Sequence, residues 1–86
     1  MPEISRFYGI VIQMYYADHP PPHFHARYAG DVAKIDIDAL AVIEGRLPGR
    51  ALGMVMEWAT LHQDELRQAF TKAASMTAPG KIDPLA

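Results

Sequence analysis

Three consecutive prolines, Pro20-Pro21-Pro22, constrain this chain more than any other feature. None has a backbone N–H to give to a ladder, and together they favour an extended polyproline course, so the segments on either side are separate elements joined by a stiff bridge. Three of the four histidines crowd around that bridge: His19 before it, His23 and His25 just after, with Asp18 at its entrance. The remainder reads as ordinary globular sequence.

Before the bridge, Phe7 to Tyr16 is rich in aromatic and β-branched residues and reads as a first strand, with Tyr8, Ile10, Ile12, Met14 and Tyr16 on one side and Gly9 marking a bulge or a close backbone approach. After it, His23 to Tyr28 alternates as a second strand. Phe24, Ala26 and Tyr28 share one face, and His23, His25 and Arg27 share the other. Val32 to Leu40 reads as a third strand, Ala33, Ile35 and Ile37 alternating with Lys34, Asp36 and Asp38.

Residues opposed in an antiparallel hairpin must share a face, which limits the turn. A two-residue turn at Ala29-Gly30 pairs Phe24 with Ile35 and His23 with Asp36, whereas one at Gly30-Asp31 pairs Phe24 with Ile37 and His25 with Asp36. Either register turns His23, His25, Arg27, Lys34, Asp36 and Asp38 away from the apolar side. Ala41 to Glu44 then fits a fourth, edge strand or a bulged continuation of the third.

From about Gly49 to Ala74 the apolar period becomes helical, through Leu52, Val55, Ala59, His62, Leu66 and Ala69 or Phe70. Met56, Trp58 and Leu61 widen that surface enough for a homodimer contact or a second covered face. His62 lies in the stripe as a core histidine, apart from the other three. Glu57, Asp64, Glu65 and Arg67 form a solvated helix face. The expected fold is α+β: a three- or four-stranded, mainly antiparallel sheet followed by one long C-terminal helix packed on one face. Residues 1–74 make the single domain, and 75–86, with Pro79, Gly80 and Pro84, a loosely ordered tail.

Composition excludes several classes. The 86 residues contain no cysteine, so there are neither disulfides nor thiolate metal sites, and any metal must use nitrogen and oxygen ligands. A formal charge of −2 with both signs dispersed gives no global basic field for nucleic acid. No apolar run approaches the roughly 18 residues that span a bilayer, and the N-terminus lacks a signal-peptide pattern, so a cytoplasmic protein with no membrane partner is expected.

The spacing His19-x3-His23-x-His25 suits a zinc-like divalent metal, with Asp36 or Asp18 adding an oxygen ligand or orienting an imidazole. His23, His25 and Arg27 also supply the base, acid and cation needed to cleave RNA through its 2′-hydroxyl, with Lys34 binding phosphate and Tyr15 or Tyr16 stacking on a base. A third reading is purely structural, the histidines ordering the proline turn in a protein-interaction domain. Residue types alone leave enzyme and binding module open.

The segments Ile4-Ser5-Arg6-Phe7-Tyr8-Gly9-Ile10, Met14-Tyr15-Tyr16, Asp18 to His25, and Glu57-Trp58-Ala59 with His62 resemble a family of small bacterial proteins catalogued only as a domain of unknown function. The likeness runs over about residues 2–74. It implies a short stand-alone cytoplasmic protein encoded beside a small protein partner, in an arrangement like that of a toxin–antitoxin or regulatory pair. It implies no particular activity.

Overall fold

Two successive residues in the left-handed region, Tyr8 at φ 50° and Gly9 at φ 80°, turn the chain back on itself in the computed structural model, which describes residues 2–86. Positive φ at both central positions is the type I′ geometry whose twist matches that of paired strands. The run expected as one strand is therefore two: β1 (Glu3–Phe7) and β2 (Ile10–Gln13), antiparallel, with Phe7 opposite Ile10. Gly9 makes the turn, not a bulge. Composition hides it because aromatic and β-branched residues continue through it.

β3 (His23–Tyr28) and β4 (Asp31–Asp36) come next, joined through Ala29 at φ 48° and Gly30 at φ 90°. The register is that of the Ala29-Gly30 turn, with His23 opposite Asp36, Phe24 opposite Ile35 and Ala26 opposite Ala33. β4 stops short of Leu40. The Asp36 carboxylate accepts the N–H groups of Asp38 and Ala39 at 2.9 and 2.8 Å, and Leu40 turns at φ 51°, so the chain reverses into β5 (Ala41–Gly45). Five antiparallel strands result, in the order β1-β2-β3-β4-β5, where three or four were expected.

β5 is an edge strand whose five residues are all exposed, and its pairing skips Ile43 between Lys34↔Glu44 and Ile35↔Val42. Gly45 closes it at φ 75°, where an added Cβ would sit 2.1 Å from the Val32 carbonyl oxygen. That neighbour is backbone and cannot swing aside. Gly45→Ala is expected to destabilise the protein by about 3 kcal/mol in urea denaturation; an unchanged midpoint would mean that β5 peels from β4 without consequence for the rest.

The helical stretch is two rods, α1 (Gly49–Leu61) and α2 (Gln63–Ala74), bent at His62 with φ −119° and ψ 24°, and not one long helix. What redirects the chain is docking of α2 on the end of β4. The Gln63 side-chain amide donates to the Ile37 carbonyl at 2.8 Å, and the Arg67 guanidinium donates to the Asp38 carboxylate at 2.7 Å. Across the bend the steps of three and four persist: Ala51, Val55, Trp58 and Ala59 are buried from α1, and Leu66, Ala69, Phe70 and Ala73 from α2.

These side chains cover the Ile10, Ile12, Phe24, Ala26, Ala33 and Ile35 face of the sheet. Trp58 lies at the centre with Phe7 and Phe24 at ring distances of 5.4 and 5.8 Å. It is fully buried and does not widen an outer surface, whereas Leu61 is exposed. After Ala74 there is no further helix or strand, yet the segment first expected to be a loose tail packs along β1. Pro79 and Ile82 are buried, the Ile82 N–H donates to the Ile4 carbonyl at 2.8 Å, and the Trp58 indole N–H donates to the Asp83 carbonyl at 2.7 Å. Among the described residues no helix is long and apolar enough to cross a membrane.

Candidate metal centre

His23 opens β3 on the face away from α1, but the chain does not leave it there for solvent. The segment 14–22 between β2 and β3 folds back over it and is tied to the end of α2 by the Ala17 N–H donating to the Ala73 carbonyl at 2.9 Å. The Phe70 ring of α2 comes to 5.5 Å from the imidazole. His23 is thereby only 1% exposed: it keeps the face that strand alternation gives it, but that face is covered there and not solvated. Strand alternation placed it on the outer face, and a loop and a helix end then closed around it. The Pro20–Pro21 peptide within this segment is cis.

Both nitrogens of His23 have partners. Nδ1 lies 2.7 Å from the Pro21 carbonyl oxygen, and Nε2 lies 2.8 Å from Oδ2 of Asp18. A carbonyl oxygen only accepts, so Nδ1 carries a hydrogen, and in the neutral ring Nε2 then turns a lone pair towards a carboxylate. Two facing lone pairs require a cation between them, either a proton or a metal ion.

His25 is next on the same face. Its ring meets Tyr15 edge-on at 4.5 Å and His23 at 5.2 Å. Its Nε2 is buried, has no hydrogen-bond partner and lies 3.8 Å from the same Asp18 oxygen. Burial and then the charge of His23 push the His25 imidazole below its ordinary value, outweighing Asp18. For Asp18, burial acts to raise the pKa. The His19 N–H bonded to Oδ1 at 2.9 Å and the neighbouring His23 outweigh it and hold the carboxyl below its usual range.

One atom each from Asp18, His23 and His25 therefore lies within 4.8 Å of the others. Ligand atoms ~2.0–2.1 Å from a single ion sit roughly 2.9–3.4 Å apart, and the 2.8 and 3.8 Å separations fall on either side of that range. The donor set is chemically apt: a carboxylate oxygen and two imidazoles, one with its far nitrogen fixed on a main-chain carbonyl, the second-sphere bond that sets the tautomer of metal-binding histidines.

The other candidates are elsewhere. His19 is exposed and enters the cluster only through its backbone N–H. Asp36 sits across from His23 but turns its carboxylate to the backbone just beyond it. Arg27 is exposed two residues beyond His25 on the same face, Lys34 is directly opposite His25, and Tyr16 is exposed beside Tyr15. His62 stays apart as expected, though half-buried at the bend and not in the core, bonded to Glu65 at 2.6 Å. The sequence named Asp18 only as an alternative to Asp36; the signal for it was an acidic residue at the mouth of a proline bridge that must bend back over the strand it feeds.

The fold and the cluster define a small α+β domain with an antiparallel five-stranded sheet, two helices on one face and a His/Asp group under the β2–β3 segment. The chain belongs to the family described as a domain of unknown function (DUF4160), whose model matches residues 9–71, a span that takes in the whole cluster. No curated protein and no solved structure matches it.

Proposed function

We propose that the protein binds a divalent transition-metal ion through Asp18, His23 and His25. The observation that carries this reading is the orphaned Nε2 of His25. A proton between His23 and Asp18 would satisfy those two groups and leave His25 buried without a partner, whereas one ion would satisfy all three. Nitrogen and oxygen donors without thiolate favour a zinc-class cation over a soft one. Three protein ligands leave a coordination position free, as in metal sites that act on or hold a small ligand. An acid–base pair acting on RNA gains no support, since His23 is buried with both ring nitrogens engaged.

The test is calorimetric titration of chelator-treated, tag-free protein with zinc and with cobalt(II). One ion per chain is expected. Asp18→Asn and His25→Asn are each expected to weaken binding by more than about 10- to 100-fold, the range already produced by losing an outer-sphere partner, while His19→Ala leaves it unchanged. Absence of binding, or undiminished affinity in Asp18→Asn and His25→Asn, would overturn the reading.

A further inference from the structure

We infer that the position left free on the ion takes a phosphate group, gripped from the outer sheet face by Arg27 and Lys34; this rests on the metal reading above. Strand geometry places these cations on the sheet face that carries His25. His25 and Arg27 are two residues apart on one face of β3, a separation of roughly 7 Å, and Lys34 of β4 is the direct cross-strand neighbour of His25.

Neither cation is engaged. Among the described residues neither Arg27 nor Lys34 joins an ion pair, while Arg6, in the same cross-sheet row as Arg27, is bound to Glu3 at 2.7 Å and Arg67 to Asp38 at 2.7 Å. The acidic residues that would repel an anion are themselves drawn off: Asp36 onto the backbone N–H groups of Asp38 and Ala39, Asp38 onto Arg67 of α2. Glu44 remains across from Lys34 without pairing with it. Counting the ion, its charge with Arg27 and Lys34 outweighs Asp18 and Glu44 on this face, although the whole chain is weakly acidic.

Phosphate fits better than carboxylate. A tetrahedral anion offers one oxygen to the metal and others to a guanidinium fork and an ammonium at once, whereas a carboxylate has only two oxygens. Tyr15, exposed and 4.5 Å from the His25 ring, offers a flat surface to a base if the phosphate belongs to a nucleotide.

The experiment adds inorganic phosphate to cobalt(II)-loaded protein and follows the visible spectrum, with adenosine monophosphate in a second arm. Phosphate is expected to change the cobalt spectrum. The Arg27→Ala/Lys34→Ala double variant should bind it about tenfold more weakly, and Arg50→Ala, which removes a charge from the helix layer, as tightly as the wild type. Tighter binding of the monophosphate assigns the anion to a nucleotide, and equal binding to phosphate alone. A silent phosphate titration on loaded protein, or equal affinity in the double variant, overturns the inference while the metal site stands. Absence of a cobalt spectrum before any phosphate is added removes both.

Discussion

Trp58→Ala is expected to leave the domain largely unfolded. The side chain is fully buried between Phe7 and Phe24, and removing such an aromatic destabilises a core by about 3–5 kcal/mol. Total stabilities are only about 5–15 kcal/mol, and an 86-residue chain belongs at the low end. A second loss compounds the first, because the indole N–H holds the Asp83 carbonyl and with it the segment along β1. Trp58→Phe isolates that part: most of the packing remains, one hydrogen bond goes, and the expected loss is about 1–2 kcal/mol. As Trp58 is the only tryptophan, unfolding is followed in urea by far-ultraviolet circular dichroism. A near wild-type midpoint for Trp58→Ala would place the core elsewhere.

His23→Leu is expected to abolish the proposed metal binding and to cost the metal-free protein about 2–3 kcal/mol at neutral pH. Leucine retains apolar bulk against Phe70, so the loss is mainly polar: the Pro21 carbonyl loses its donor and the Asp18 carboxylate, 23% exposed, its imidazole. Adding Asp18→Asn to His23→Leu removes the stranded charge and should recover part of the stability. His25→Asn provides the contrast, since His25 Nε2 has no partner to abandon; it should abolish the proposed metal binding and keep a urea midpoint close to wild type. Equal stability of wild type and His23→Leu without metal would show that the imidazole does not hold the β2–β3 segment down.

What could be read in the sequence was what short-range pattern determines. The β3–β4 hairpin comes from alternation on both strands, which leaves only even-length turns, and one of the two allowed is found. The core stripe comes from helical period, from Val55 to Phe70. Illegible were features decided by contacts between distant parts. The bend at His62 arises where Gln63 and Arg67 reach the end of β4, and the Tyr8-Gly9 turn is hidden in an unbroken apolar run. The site divides in the same way. His23 and His25 announce themselves, but the choice of Asp18 over His19 or Asp36 depends on how the proline bridge folds, and the burial of His23 on Phe70 and Ala73 of a helix about fifty positions later.

The two margins of the sheet are unlike. β1 is overlaid at its start by the chain around Ile82, while β5 shows its main chain to solvent along its length. Such a sheet has a direction as a building block. A strand added to it finds the freer margin beside β5, and two copies meeting there would use up the open margin of both. Growth through main-chain pairing at β5 would then stop at a closed pair, and the overlay at the start of β1 stands against its running on into a ribbon.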